Sequence, residues 1–374
     1  MLTLVVSDLH LGAASGVDLL RRPELRAALL ERCAEADRVV LLGDVLELRH
    51  GPRHEALAAA RPFFEDLGGV LAGREVVALA GNHDHALVEP WLQRRGELPG
   101  QQPLGVEQRF AAAAGSTMLA QLASWAQPAR LSVAYPGLWL REDVYATHGH
   151  YLDCHLTIPT MERLGIGAMG RLLRRPARGF SSPEDYEAVT VPVFAWIDAI
   201  ARQARTGEAL NGGLTVRAWH ALNGEESRNG GGLARTLRAR ALAAGFPLAV
   251  AALNRAGLGP FNADISTGEL RRAGLRAMGE VAARLGLGEA HVIFGHTHRA
   301  GPLPGDAESE WRGSGGARLM NTGCWTYDGY FLRSAPAGGP YWPGTCVAVE
   351  DDGPPRLLGL LSGRTHAELR PATA

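Results

Sequence analysis

Lysine is absent from this 374-residue chain, so every one of its 38 basic residues is an arginine. These arginines are balanced by 39 acidic residues, which leaves a formal net charge of −1 at pH 7. A chain so close to neutral has no overall electric field that would draw it to nucleic acid or to an anionic membrane. The missing lysine, together with abundant alanine and glycine, is typical of a GC-rich coding bias and indicates no mechanism.

Cysteine and long apolar segments are also scarce. The four cysteines include no Cys-x-x-Cys pair, and so few thiols in a long chain favour a reduced, cytoplasmic protein over a disulfide-bonded one. No segment approaches the ~18 uncharged apolar residues that a membrane-spanning helix needs. The first residues lack the basic start and the long apolar run of a secretion signal, so we interpret them as a strand.

Short apolar, β-branched runs recur along the chain and alternate with segments of helical periodicity, a pattern that predicts an α/β fold. Five of these runs end directly in a polar motif. The motifs are Asp8-Leu9-His10, Gly43-Asp44 with Glu47 after it, Gly81-Asn82-His83-Asp84, His148-Gly149-His150 and Gly295-His296-Thr297-His298. Because each motif follows its strand immediately, we expect these polar side chains to meet at one edge of a sheet.

Carboxylates, imidazoles and an amide that meet in this way suit a pair of divalent metal ions. One aspartate has two oxygens and can hold two cations about 3.5–4 Å apart. A mixture of nitrogen and oxygen ligands favours Mn, Fe, Zn or Ni over Mg or Ca. A single Asp or His after a strand is more often a cap or turn residue. The prediction therefore depends on all five motifs together.

In order and spacing, the five motifs resemble those of the calcineurin-like metallophosphoesterase superfamily, over residues 8–298. The resemblance implies a four-layer α-β-β-α sandwich of two mixed sheets. It also implies two divalent metal ions, with manganese the first expectation. The first ion would be bound by Asp8, His10, Asp44 and His298. The second would be bound by Asp44, Asn82, His148 and His296.

The same resemblance implies a hydrolase, a phosphodiesterase or phosphatase in which a hydroxide bridging the metals attacks the phosphate ester. His83 is then the catalytic proton donor, and Asp84 is the carboxylate that orients it. His150 and Asn82 are expected to lie near the substrate phosphate. Glu47 is expected to support the metal ligands without binding a metal.

Three other functions share these motifs. The opening residues 7–12 are similar to those of bacterial phosphoesterases that cleave UDP-diacylglucosamine. In their third motif, however, those enzymes usually have arginine at the position of His83. A nuclease uses the same ligands, but near-zero net charge disfavours nucleic acid. A non-catalytic scaffold is the third alternative, and it is disfavoured because no ligand is lost. We expect a small phosphorylated substrate, and nothing implies a partner protein.

The motifs also suggest how the chain is divided. Residues 1–150 and 290–362 are expected to form the core, 151–289 a mostly helical insertion that caps it, and 363–374 a disordered tail. Residues 85–142 are interpreted as a smaller, mostly helical insertion. Within 151–289, four arginines lie at the end of the apolar stretch Met161–Leu173 or just after it, at positions 171, 174, 175 and 178. This pattern is typical of a solvated helix end, and a lipid surface or a phosphorylated substrate is the alternative partner.

Overall fold

The computed structural model describes residues 1–49, 51–97, 100, 102–203, 247–262, 264, 267–332 and 336–371. This part of the chain has a mixed α/β structure built on one ten-stranded sheet. The strands are β1 (Thr3–Val6), β2 (Arg38–Leu42), β3 (Glu75–Leu79), β4 (Glu107–Ala111), β5 (Arg130–Arg141), β6 (Val144–Thr147), β7 (His291–Phe294), β8 (Arg318–Asn321), β9 (Thr345–Val349) and β10 (Arg356–Gly359).

The long helices are α1 (Pro23–Ala34), α2 (Arg53–Val70), α3 (Glu89–Glu97), α4 (Thr117–Trp125), α5 (Met161–Leu172), α6 (Pro183–Gln203) and α7 (Thr267–Arg284). Two one-turn helices span Gly329–Leu332 and His366–Leu369, and residues 247–255 are also helical. Short 3-10 helices span Leu19–Arg21, His85–Leu87, Ala112–Ala114, His150–Cys154, Ala177–Gly179 and Glu308–Trp311. Proline is the first residue of α1 and of α6. It suits this position because a backbone N–H there would have no acceptor within the helix, so proline loses no hydrogen bond.

The sheet has the strand order β10-β9-β1-β2-β3-β5-β6-β7-β8, and β4 pairs with β5 outside this path. Strands β1, β2 and β3 are mutually parallel, and so are β6, β7 and β8. Strand β5 joins the two sets, because it pairs parallel with β3 through its first residues and antiparallel with β6 through its last. The carboxyl ends of β1–β3 therefore come to a common edge, as do those of β6–β8.

The strands form one hydrogen-bonded path, which differs from the two separate sheets expected from the sequence. The path curls strongly. The guanidinium of Arg141, at the end of β5, donates to the carbonyl of Glu350 just after β9, at 2.7 Å. Four strand spacings of about 4.8 Å separate β5 from β9 along the sheet. A side chain can close that gap only because the sheet bends over on itself.

Apolar side chains fill both faces of this curled sheet. On one face, Val5, Val40 and Val77 share a buried cluster with residues of β6, β7 and β9. On the other face, the alternate residues of β1–β3 pack against helices α1, α2 and α4, with Phe63 and Phe64 of α2 among the largest buried side chains. Burial on both faces explains why the parallel strands appear in the sequence as continuous apolar runs.

Residues 85–142 correct one prediction, since they are not mostly helical. They contain α3 and α4, but also β4 and the 12-residue strand β5. Pro136 and Gly137 interrupt the apolar pattern in the middle of β5, and residues of this kind predict a break in a strand. Pairing with neighbours on both sides of β5 overrides that local signal.

The end of the chain corrects a second prediction. The tail 363–374 was expected to be disordered, yet Thr365 caps a helical turn at His366–Leu369 through a reciprocal capping box with Glu368. Leu369 is fully buried in the core cluster. A composition-based reading missed this turn because only one apolar residue anchors it. No helix in the described part of the chain is both long and apolar enough to cross a bilayer.

Contacts divide the chain into two compact units. Unit 1 comprises Met1–His150, Ser182–Glu184 and Ala282–Ala374, and it contains the whole sheet. Unit 2 comprises Tyr151–Ser181 and Asp185–Val281, and its described residues include helices but no strand. Inside unit 2, Tyr151 stacks on Tyr186 with ring centroids 4.6 Å apart. A capping role for residues 151–289 stays a prediction.

Candidate metal centre

The five sequence motifs lie on the loops that follow β1, β2, β3, β6 and β7. Backbone hydrogen bonds join these loops to one another. The amide of Asp8 donates to Gly43 O at 3.1 Å, the amide of His10 to Asp44 O at 2.9 Å, and the amide of Gly295 to His148 O at 2.9 Å. The predicted convergence at one sheet edge is therefore present, and backbone contacts hold the loops in register.

Five of the predicted metal ligands have a left-handed backbone. The φ angles are 55° for Asp8, 45° for His10, 50° for Asp44, 67° for His296 and 57° for His298. Among the described residues, only one other non-glycine residue, Arg174, has a positive φ. Residues held in this region cost of order 1–3 kcal/mol each, and they concentrate where function requires the strain. The strain thus coincides with the residues that the motifs select.

A first donor group contains Asp8, His10 and His298. His298 Nε2 lies 3.3 Å from Asp8 Oδ1, and His10 Nε2 lies 3.1 Å from His298 Nε2. His10 Nε2 is also 3.7 Å from Asp44 Oδ2, which brings Asp44 to the same group. Asp8 and Asp44 are almost completely buried. These are the four residues predicted for the first metal.

A second donor group contains Asp44, His148 and His296. Asp44 Oδ2 lies 3.3 Å from His148 Nε2. The side-chain oxygen of Asn82 lies 3.2 Å from His148 Nε2 and 3.0 Å from His296 Nδ1. The four residues predicted for the second metal are thus together, and Asp44 belongs to both groups.

The chemistry of these donor atoms fits a cation. His148 Nδ1 lies 3.0 Å from the carbonyl of Leu42, so the proton of a neutral imidazole is on Nδ1 and Nε2 presents a lone pair. That lone pair faces the oxygen of Asn82 and a carboxylate oxygen of Asp44. Acceptors that face one another at about 3 Å repel, so the group needs a metal ion, a proton or the N–H groups of a reversed Asn82 amide between them. The residues present therefore suit a divalent ion at each group.

Glu47 links a metal-ligand candidate to the predicted proton donor. Its Oε2 lies 3.1 Å from His10 Nδ1 and 2.8 Å from His83 Nδ1. Both imidazoles therefore donate through Nδ1 and keep Nε2 for other partners. The backbone amide of His83 donates to Asp44 Oδ1 at 2.8 Å, which ties His83 to the shared carboxylate.

The structure gives Asp84 contacts that the sequence did not predict. Its carboxylate accepts backbone N–H groups from Gly81 at 2.7 Å, Val45 at 2.8 Å, and Asp44 and Leu46 at 3.2 Å. Asp84 is fully buried and joins the loop after β2 to the loop after β3. Glu47 is a carboxylate that contacts the His83 ring, and the orienting role predicted for Asp84 stays a prediction. Asp84 builds the loop on which Asn82 and His83 stand.

His150 lies behind the second donor group. Its buried ring is 5.7 Å from that of His148 between centroids, and its Nε2 is 3.5 Å from the hydroxyl of Tyr135. The structure thus gives His150 a contact with a ligand candidate and with a buried tyrosine. Its predicted contact with substrate stays a prediction.

Sequence reasoning missed Ser7 and Thr322. The hydroxyl of Ser7 donates to Asp8 Oδ2 and also contacts the hydroxyl of Thr322, at 2.5 Å. Thr322 follows β8, more than 300 residues away along the chain. Ser7 adjoins a motif and could have been noticed on that ground, whereas Thr322 carries no local signal.

Arg49 was also missed, although it lies two residues beyond Glu47. It is buried, and its backbone amide donates to Glu47 Oε1 at 3.0 Å. Its Nη1 is 3.2 Å from the side chain of Asn82, on the side away from the donor atoms. If the Asn82 amide were reversed, its oxygen would accept from Arg49 and its nitrogen would donate to Asp44, His148 and His296. Only the orientation with the amide oxygen inward suits a cation.

The electrostatics of the centre favour bound positive charge. Burial disfavours the charged form of His148, but the Asp44 carboxylate outweighs burial and raises the pKa of His148 to about 9. Burial lowers the pKa of His83 to about 4, in spite of Glu47. The second donor group thus attracts a proton where no metal is bound, and metal binding there must displace it.

No family model and no curated protein matches the sequence. The inference about function therefore rests on the residues of the centre and on their geometry.

Proposed function

We propose that this protein is a phosphate-ester hydrolase that depends on two divalent metal ions, with manganese the first candidate. The observation that carries the proposal is the position of Asp44 between two donor groups, 3.7 Å from His10 Nε2 and 3.3 Å from His148 Nε2. Asp8, His10, Asp44 and His298 would hold one ion. Asp44, Asn82, His148 and His296 would hold the other. The curled mixed sheet with helices is compatible with the metallophosphoesterase sandwich, which we include in the proposal.

When bound, two such ions would hold phosphoryl oxygens and lower the pKa of a water molecule. The protein's own part in proton transfer falls to His83. Its side chain is 20% exposed, whereas that of Asp44 is 2% exposed, so His83 can reach a substrate. Burial holds the pKa of His83 at about 4, so the imidazolium form depends on the anionic phosphate of a bound substrate, whose effect adds to that of Glu47. His83 can then protonate the leaving oxygen through Nε2.

The first experiment is hydrolysis of bis-p-nitrophenyl phosphate and of p-nitrophenyl phosphate by the manganese-loaded protein. We expect turnover of one or both esters that disappears on chelation. Metal content and turnover are then measured for Asp44→Asn, which should lose both. Normal metal content in Asp44→Asn would contradict the bridging role.

His83→Ala is the companion variant. It should retain its metals and lose most turnover, with the largest loss on esters that have poor leaving groups, because these need the proton most. Equal losses for good and poor leaving groups would count against acid catalysis. Two bound metals without turnover of either ester would favour the non-catalytic scaffold. A panel of phosphorylated metabolites and single-stranded DNA then separates a small-molecule hydrolase from a nuclease.

A further inference from the structure

The turn after α5 exposes two adjacent leucines among arginines. We define this Arg–Leu turn as residues 171–178. Leu172 is 75% exposed and Leu173 is 44% exposed. Arg171, Arg174, Arg175 and Arg178 flank them along the chain and are exposed as well. Single exposed apolar residues are ordinary on protein surfaces, but an adjacent pair flanked by like charges calls for a partner.

Positive charge is concentrated in this part of an otherwise neutral chain. From Arg163 to Pro183 the sequence contains five arginines and no acidic residue. Arg171 donates to the backbone carbonyl of Ala256, a contact that holds the guanidinium without neutralising it. Asp185 lies 3.8 Å from Arg175. Along the chain, Glu184 is the one acidic residue closer to the turn than Asp185. The turn therefore presents a local cationic surface that the net charge of −1 conceals.

The backbone of the turn is strained in a way that displays these side chains. Arg174 has a φ of 55°, a region that usually requires glycine. The amide of Arg174 donates to Arg171 O at 3.2 Å, and that of Arg175 donates to Gly170 O at 2.7 Å. These two hydrogen bonds form a helix C-terminal motif in which the residue with positive φ is normally glycine. Helix α5 thus ends at Leu172 with Leu173 as its C-cap, and an arginine follows where a glycine would be less strained.

We propose that the Arg–Leu turn docks on an anionic lipid surface, with the arginines on the headgroups and both leucines in the interface. A lipid surface satisfies both features, because anionic headgroups attract arginine and the acyl boundary accepts leucine. Nucleic acid would pair with the arginines but would leave the leucines in water. The proposal stands independently of the proposed function, since it concerns unit 2 and no residue of the metal centre.

The test is co-sedimentation of the full-length protein with vesicles. We expect binding to vesicles of mixed phosphatidylcholine and phosphatidylglycerol, little binding to phosphatidylcholine alone, and weaker binding as salt increases. Each arginine near such a surface contributes about 1 kcal/mol. Arg174→Gln and Arg175→Gln should therefore each lower the partition coefficient about fivefold. Leu172→Ser with Leu173→Ser should also reduce binding.

Matched controls remove the same groups elsewhere. Arg61→Gln and Arg312→Gln take one charge each from exposed helix or turn positions of unit 1, and Met161→Ser removes an exposed apolar side chain at the opposite end of α5. These variants should bind vesicles like the wild type. Equal binding to neutral vesicles, or unchanged binding of the arginine and leucine variants, would overturn the proposal. So would tight binding to a DNA duplex that depends on the arginines and not on the leucines.

Discussion

Glu47 is the residue whose assignment most affects the chemistry, because one of its oxygens contacts both His10 Nδ1 and His83 Nδ1. We predict that Glu47→Gln lowers manganese affinity or turnover by about 10- to 100-fold, as expected for a group that orients metal ligands. Glutamine has one oxygen, so it cannot accept both from the two imidazoles and from the amide of Arg49, as the two carboxylate oxygens of Glu47 do. Calorimetric titration with manganese and steady-state kinetics would measure the two effects, with circular dichroism as the check on folding.

Asp84→Asn is the matched variant, since it changes the neighbouring carboxylate in the same way. Asp84 accepts four backbone N–H groups, and a hydrogen bond to a charged group contributes about 1.5–3 kcal/mol. We expect a clear loss of thermal stability in Asp84→Asn and a smaller one in Glu47→Gln. The reverse ranking, with Asp84→Asn fully stable and selectively inactive, would support the role that the sequence suggested for Asp84.

Arg49 supplies a second prediction at the level of single residues. A cation at the second donor group requires the Asn82 oxygen to point inward, whereas the reversed amide lets that oxygen accept from Arg49 Nη1. Arg49 therefore competes with the metal for Asn82. Arg49→Met should bind manganese about tenfold more tightly, because a hydrogen bond to a charged partner no longer opposes metal binding. Calorimetric titration checks this, and Arg312→Met, which removes an exposed charge, should leave the affinity unchanged.

These residues show how far the sequence could predict the site. The seven metal-ligand candidates were predictable because each follows the end of a strand, and parallel strands bring their ends together. The contact of Glu47 with the His83 ring was not predictable, because it depends on the direction in which the loop at residues 81–84 turns. The role of Thr322 could not be predicted for another reason, because its contact with Ser7 joins distant parts of the chain.

At the level of elements, Gly81 of the third motif is explained by crowding around the ligands. A Cβ atom on Gly81 would lie 2.2 Å from Asp44 Oδ1 and 2.7 Å from His148 Nε2. Both neighbours are buried and are held by other contacts, so they cannot move aside without leaving the centre. The loop after β3 therefore depends on glycine for close approach and not for an unusual φ.

We predict that Gly81→Ala abolishes binding of the second metal while the protein stays folded. Gly69→Ala is the control, because Gly69 is an exposed residue of α2 with no atom within 4 Å of the added carbon. Alanine is favoured over glycine by about 1 kcal/mol in a helix, so this variant should be as stable as the wild type or more so. Metal content per chain and the melting temperature measure both effects. Full metal content in Gly81→Ala would contradict the packing described for this loop.

Elements that local pattern defines were predicted well, and elements that depend on distant partners were not. The runs that became β1, β2, β3, β6 and β7 were clear because they are buried on both faces. Strand β5 was missed because its support comes from β3, β4 and β6, which lie at different distances along the chain. The turn at His366–Leu369 was missed because Leu369 needs the core of unit 1 to bury it.

For the whole molecule, all seven metal-ligand candidates fall in unit 1. A ligand that binds only the folded state stabilises it by about 2.7 kcal/mol at a concentration of 100 times its dissociation constant. That stabilisation acts on the unit that contains the site and reaches the other only if the two unfold together. Metal binding therefore distinguishes a molecule with one cooperative unit from a molecule with two.

We predict that manganese slows amide hydrogen exchange in β1, β2, β3, β6 and β7 and leaves exchange in α5 and α6 unchanged. Chelation should reverse the effect, and Asp44→Asn should show none, because both donor groups need that carboxylate. Exchange followed by mass spectrometry of peptides reports each unit separately. Slowing of the same size in α5 and α6 would show that unit 2 unfolds with unit 1, and slowing confined to α5 and α6 would place the metal outside the centre described above.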